Sequence, residues 1–270
     1  MSRSGDEVLT RPAAGPDLVL RYAGHDEAVI DVFLPASTGT APAPRTPQLL
    51  VLLHGGFWRQ RYDRRHLRPL ANAVRERGLA VAVPEYRRVG GAGGWPTTAY
   101  DVEAALRDLP AMLDGVAPGR ADVGAPFVLC GHSAGGHLAM WAGLRAGPAR
   151  VSAIVGLAPV SDLVYAAQQR LGDGAVQELL GGEPDDVPET YAAAGVDPSR
   201  LLASGIRLTI IQGGADDVVP AEMNRQLRGT VFGSEASLSY TELDGVEHFA
   251  LIDPLTPAFD EAVWPALAQP

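Results

Sequence analysis

The 270-residue sequence contains no lysine, and all 22 of its basic residues are arginine. Schiff-base and general-base lysine chemistry are therefore excluded. Abundant Ala, Gly and Pro beside that gap point to the base composition of the gene rather than to function. A single cysteine, Cys130, rules out an internal disulfide and argues against a thiolate zinc site. It closes an apolar run and reads as buried packing. No apolar run approaches the ~18 residues of a membrane-spanning helix. Residues 1–16 lack the apolar core of a secretion signal and are broken by Pro12 and Pro16. Positive charge is also short: the formal net charge is −10, which argues against nucleic acid or an anionic membrane as partner. The expectation is a cytoplasmic protein acting on a small molecule without metal or cofactor, with a homodimer left open.

What is present is globular composition, 46% hydrophobic and 20% charged. A chain of this length buries roughly three-quarters of its unfolded surface and needs no covalent staple. Leu18–Tyr22 and Ala28–Leu34, joined through Gly24-His25-Asp26, predict an antiparallel hairpin. The Ala-, Thr- and Pro-rich stretch from Pro35 to Pro47 predicts a surface loop. Then short apolar runs without polar alternation begin: Leu49–Leu53, Ala80–Val83, Phe127–Cys130, Ala153–Leu157, Leu208–Gln212 and Leu238–Leu243. Strands covered on both faces have this pattern. Helix-like segments separate them at Leu67–Arg77, Thr98–Leu113, Ala134–Arg145, Ala221–Leu227 and Ala258–Leu267. The alternation predicts an α/β fold with a mostly parallel, doubly wound sheet. Residues 17–270 form one domain in this reading, after a flexible stretch over 1–16. The segment 159–202 breaks the rhythm with short amphipathic pieces, Ala175–Leu180 and Glu189–Ala194, and predicts a small helical cap.

The strongest chemical signal is Gly131-His132-Ser133-Ala134-Gly135, which follows a buried run and opens a helix. So tight a strand-to-helix turn strains the serine, needs flanking glycines, and lifts the hydroxyl clear at a helix N-terminus. A serine hydroxyl needs a neutral imidazole to take its proton. Of six histidines, His54 lies in a Gly-rich loop, His132 faces away from substrate inside the elbow, and His137 is buried one turn further on. His25 and His66 sit in exposed contexts. His248, in the loop after the last strand, remains as the base. A carboxylate must hold the imidazole tautomer. Asp216, after Gly213-Gly214, ranks above Asp162, and Asp162 above Asp217. The developing oxyanion needs backbone N–H groups. His54-Gly55-Gly56-Phe57-Trp58 supplies those of Gly56 and Phe57, and Ala134 adds the third.

These motifs resemble those of the α/β-hydrolases, and more narrowly the branch grouping carboxylesterases with arylformamidases (kynurenine formamidase). His54–Trp58 is similar to the H-G-G-[YF]-W loop of the arylformamidases. Gly131–Leu138 and the closing His248-Phe249-Ala250-Leu251-Ile252 resemble the same branch, and the likeness runs from about Pro47 to the C-terminus. The resemblance implies an α/β-hydrolase fold and a cofactor-free serine hydrolase cleaving a small acyl ester or an N-formyl aryl amide. An acyltransferase, cyclase or thioesterase would use the same triad, and a non-catalytic ligand-binding scaffold would keep the fold. Trp58, Tyr86 and Trp95, at loops and strand ends on the active-site side, are the expected substrate-binding aromatics. Arg59, Arg61, Arg64, Arg65 and Arg68 crowd the stretch after the oxyanion loop. They read first as a solvated loop and helix start, and second as a dock for a substrate carboxylate.

Overall fold

A computed structural model describes residues 6–36, 46–230 and 238–269. Most of the expected surface loop (residues 37–45) and the first five residues lie outside the described residues.

The apolar runs set the architecture. In β3 (Leu49–Leu53) every residue is buried. Leu49, Val51 and Leu53 join one hydrophobic cluster, and Leu50 and Leu52 join the other. A strand with two apolar faces is satisfied only when helices cover both. The remaining strands are β1 (Leu18–Arg21), β2 (Val29–Phe33), β4 (Ala80–Pro84), β5 (Phe127–His132), β6 (Val151–Leu157), β7 (Arg207–Gly213) and β8 (Leu238–Leu243). They form a single sheet in the order β1-β2-β4-β3-β5-β6-β7-β8. β3 to β8 run parallel to one another. β1 pairs antiparallel with β2 in the register Leu20↔Ile30, and β2 pairs antiparallel with β4. This is the mostly parallel sheet with an N-terminal hairpin that the sequence predicts.

The helices are α1 (Arg68–Glu76), α2 (Thr97–Val116), α3 (Ala134–Ala146), α4 (Leu163–Gln168), α5 (Leu171–Leu180), α6 (Pro188–Ala194), α7 (Pro198–Ala203), α8 (Ala221–Thr230) and α9 (Trp264–Ala268). α2, α3 and α8 bury their apolar residues on one face of the sheet, and α1 and α9 bury theirs on the other. The four short helices α4 to α7 occupy the segment between β6 and β7 where the sequence predicts a cap, and they send Leu163, Ala175, Leu179 and Tyr191 into the same cluster as α2 and α3. The last expected helix is split: Phe259–Val263 winds as a π-turn before α9. Pro265, with no N–H to give, sits where the hydrogen-bond register changes. Residues 6–17, which the sequence assigns mostly to an N-terminal stretch, pack on the α1 face. Val8 is fully buried there beside Leu67 and Leu251, and the Arg11 guanidinium grips both carboxylate oxygens of Asp253.

Candidate active site

β5 delivers Ser133 directly into α3. The Ser133 backbone takes φ 56°, ψ −122°, a conformation that side chains other than glycine rarely adopt. It is held there by its own N–H donating to Leu157 O of β6 at 2.9 Å, and by its carbonyl accepting from Gly136 and Val160. The flanking glycines are required by contact. A Cβ on Gly131 would strike the Gly135 carbonyl, and a Cβ on Gly135 would strike the carbonyl oxygens of Leu53 and His54. Ser133 thus stands at the parallel strands' carboxyl edge, with the free N–H groups of the α3 N-terminus beside it.

The loops after β7 and β8 supply the acid and the base candidates. Asp216 Oδ2 lies 2.7 Å from His248 Nδ1. Asp216 Oδ1 accepts from the Val218 and Val219 N–H groups at 2.9 and 2.7 Å, which fixes the carboxylate plane. Oδ2 also accepts from Gln212 Nε2 at 3.2 Å. Behind it Gln212 Oε1 takes a bond from Asn224, and Asn224 Oδ1 takes one from Ser161. The imidazole of His248 is almost fully buried, and it faces the same cavity as Ser133. Asp162 does different work: it is exposed and caps α4, accepting the Tyr165 N–H. It makes no contact with His248.

The loop after β3 brings its backbone against the serine. A Cβ on Gly55 would lie 3.0 Å from Ser133 Cβ, so only glycine permits this approach. Phe57 and Trp58 follow with φ 53° and 55°, both left-handed. They are held by Arg59 N–H donating to Gly56 and by Val89 N–H donating to Trp58. Gly56 and Phe57 line the cavity; Ala134, the next residue after the serine, is buried behind it. The Phe57 ring is backed by the cap, where a Cβ on Gly172 would fall 2.7 Å from it. Arg59 ties the loop to the same cap through Glu178 at 2.7 Å. His54 is anchored from below, with Nε2 2.7 Å from Glu85 and its ring stacked 4.3 Å from Tyr86. Burial, then the Arg88 guanidinium, lower its pKa to about 3 and hold it neutral.

The structure brings none of Trp58, Tyr86 and Trp95 to the wall of the cavity around Ser133. Trp58 and Tyr86 are fully buried. Trp58 packs edge-on against His137, and Tyr86 spends its hydroxyl on the His54 carbonyl at 2.7 Å. Trp95 meets Trp141 edge-to-face, and its backbone N–H donates to the Leu179 carbonyl of the cap. These aromatics pack the scaffold and the cap rather than the site. His132, expected to face away from substrate, lines the cavity. Its Nε2 lies 3.2 Å from the His248 carbonyl, and its ring packs 4.4 Å from the His248 ring. Burial, then the repulsion two imidazolium charges would feel beside His248, push its pKa well down. His66 is buried rather than exposed, and burial lowers its pKa to about 3. The turn at Arg64–Leu67, capped by Asp63, tucks it inward. Leu9, Tyr62, Val218 and Phe249 complete the wall. Val218 and Phe249 were discoverable as neighbours of Asp216 and His248; Leu9, from the far end of the chain, carries no signal.

The family model described as BD-FAE matches residues 30–231. No curated protein matches the chain. Among solved structures, a truncated carbohydrate esterase from gut microbiota is 19% identical, with 95% of this chain and 99% of that one covered and a TM-score of 0.75. Esterase B from Lactobacillus rhamnosis (HN001) is 20% identical over 98% of this chain and 89% of that one, with a TM-score of 0.74. A further structure describes that esterase with a tributyrin phosphonate inhibitor. A bifunctional GH43-CE protein of Bacteroides eggerthii is 21% identical, with a TM-score of 0.67; the match takes in 85% of this chain but only 35% of the larger protein. The chain therefore spans about a third of that relative's length. At these identities the likeness is one of fold, and the fold is that of the α/β-hydrolases. No helix among the described residues is long and apolar enough to cross a membrane.

Proposed function

The chain belongs to the BD-FAE family, and from that premise we propose that it is a serine carboxylesterase working through an acyl-enzyme. Ser133 Oγ attacks the acyl carbonyl while His248 takes its proton. Asp216 keeps the imidazole proton on Nδ1 and stabilises the imidazolium that forms. The N–H groups of Gly56, Phe57 and Ala134 meet the negative charge on the former carbonyl oxygen. Collapse expels the alcohol, which leaves with the proton from His248, and water repeats the sequence to release the acid. The observation that carries this reading is the 2.7 Å Asp216–His248 contact on the cavity wall shared with the strained Ser133. The fold neighbours named as esterases, one of them with a phosphonate inhibitor, support the same chemistry.

The acyl group is short in this reading. The cavity at Ser133 measures about 30 Å³, far below the roughly 300–1,000 Å³ of pockets that swallow drug-sized ligands. Phe57, backed by Gly172, closes one side. A formyl group is the smallest acyl of all, and the His54–Trp58 loop resembles that of the arylformamidases, which favours an N-formyl aryl amide as the second substrate. A series of p-nitrophenyl esters run beside N-formylkynurenine tests both. The octanoyl ester should show kcat/KM at least about tenfold below the acetyl ester, or roughly 1.4 kcal/mol of transition-state stabilisation. A profile that peaks at octanoyl would mean an open acyl pocket and sink the short-acyl reading.

A further inference from the structure

Beside the Ser133 cavity lies a second space of about 370 Å³, walled by Leu9–Ala13 on one side and by residues between 61 and 68 on the other. The two share Leu9, Tyr62 and His66, so they adjoin along these side chains. Their linings differ in kind. The cavity is largely apolar and aromatic. The larger space carries four guanidiniums, from Arg11, Arg61, Arg65 and Arg68, against one carboxylate, Asp63. In a chain with net charge −10 this is a local reversal of sign.

The ion pairs decide which of those charges are available. Arg11 is engaged by Asp253. Arg68 shares Asp31 with Arg64, which also meets Glu85 at 3.5 Å, so neither of these two guanidiniums is free. Asp63 is already occupied by the Arg65 N–H, and it meets the Arg65 guanidinium only at 3.6 Å. Arg65 remains largely exposed. Arg61 has no carboxylate partner among the described residues; its guanidinium lies 4.8 Å over the Tyr62 ring. Stacking of this kind fixes the guanidinium plane while leaving its N–H edge free to receive a carboxylate. Tyr62 walls both spaces, so the unpaired charge sits at their junction. Of the four guanidiniums lining this space, Arg11 and Arg68 are held by buried or half-buried carboxylates, whereas Arg65 meets Asp63 only loosely and Arg61 meets none among the described residues.

We propose that this arginine-lined annex is a binding subsite for a carboxylate carried on the leaving group, so that the preferred substrates are short-acyl esters or amides of acidic aryl alcohols or amines. The proposal rests on Ser133 as nucleophile. Arg61 and Arg65 are the residues that receive the carboxylate, and Tyr62 and His66 flank the aryl ring between the dock and the scissile bond. Acetyl transfer to water then releases acetate and the acidic phenol or amine.

The test uses 4-acetoxybenzoate and its neutral methyl ester, which carry the same acyl group. The ratio of kcat/KM for the acid to that for the methyl ester is measured in the native enzyme and in Arg61→Gln/Arg65→Gln. Comparing ratios cancels the difference in leaving-group chemistry and any loss of folded enzyme. The ratio should fall about fivefold or more in the double variant, the size expected of two partly exposed ion pairs. In the native enzyme it should also fall when salt shortens the Debye length from about 10 Å at 0.1 M to about 3 Å at 1 M. An unchanged ratio overturns the dock while leaving the esterase reading intact. Arg65→Gln alone, at an exposed site, serves if the double variant does not fold. A calorimetric titration with 4-hydroxybenzoate covers the case in which neither ester is hydrolysed, which would count against the esterase reading itself. Binding at least fivefold weaker in the variant supports the dock, and equal or absent binding to the native protein overturns it.

Discussion

Replacing Asp216 by Asn changes one oxygen to an NH₂ group, and the surrounding hydrogen bonds dictate which one. Oδ1 receives two backbone N–H bonds, from Val218 and Val219, so the amide oxygen must stay there. The NH₂ group then takes the Oδ2 position, facing His248 Nδ1 at 2.7 Å and the Gln212 NH₂ at 3.2 Å. A donor facing Nδ1 forces the imidazole proton onto Nε2, and that tautomer cannot accept the serine proton. The expected loss in kcat is on the order of 10⁴, about 5.5 kcal/mol, the scale seen when a triad imidazole is held in the wrong tautomer. Asp162→Asn is the control. Asparagine caps a helix as well as aspartate does, so the bond to Tyr165 survives and kcat should stay within about twofold. Both variants are assayed on p-nitrophenyl acetate, with urea unfolding to confirm the fold. A loss below tenfold in Asp216→Asn, or a matching loss in Asp162→Asn, would refute the assignment of the acid.

Two further outcomes follow from buried polar groups. Burial holds the pKa of His54 and His66 at about 3 and that of His137 at about 4, with His132 also well lowered. The unfolded chain takes up protons at these sites near pH 6.5 and the folded one does not, so stability is present above that pH and is lost as pH falls. His54, His66 and His137 each remove about 2 kcal/mol by pH 5, and His132 acts in the same direction; urea midpoints that stay level between pH 7 and pH 5 would contradict this. Asn224→Leu strands the Gln212 Oε1 acceptor, the Ser161 hydroxyl and the Pro159 carbonyl in the interior. It should destabilise the protein by about 2–4 kcal/mol, and a change below about 0.5 kcal/mol in urea unfolding would show that water replaces those bonds.

The sheet was legible because β3, β5, β6 and β7 are apolar on both faces, a pattern that admits few alternatives. The turn at Ser133 was legible for a related reason, since glycine at 131 and 135 is a contact requirement that leaves its mark in sequence. Asp216 and His248 stand in loops that a parallel sheet gathers at one edge. The aromatics were misplaced because a strand-end position does not say which way a ring turns. Tyr86 turns inward to stack on His54. His66 looked exposed among its arginines until the Asp63 cap wound that stretch into a turn. The bonds running from Asp216 through Gln212 and Asn224 to Ser161 join β7, α8 and the loops after β6 and β7. No local pattern encodes such a path, although a buried glutamine ending an apolar strand is its one visible trace.

The central claim is that Ser133 is the nucleophile, and covalent trapping tests it most directly. The native protein is treated with a fluorophosphonate, and the adduct is located by intact mass and peptide mapping, beside Ser133→Ala. The account predicts one adduct per chain, on Ser133, with none in the variant and no esterase turnover left. Labelling that persists in Ser133→Ala, or turnover that survives the substitution, would contradict it.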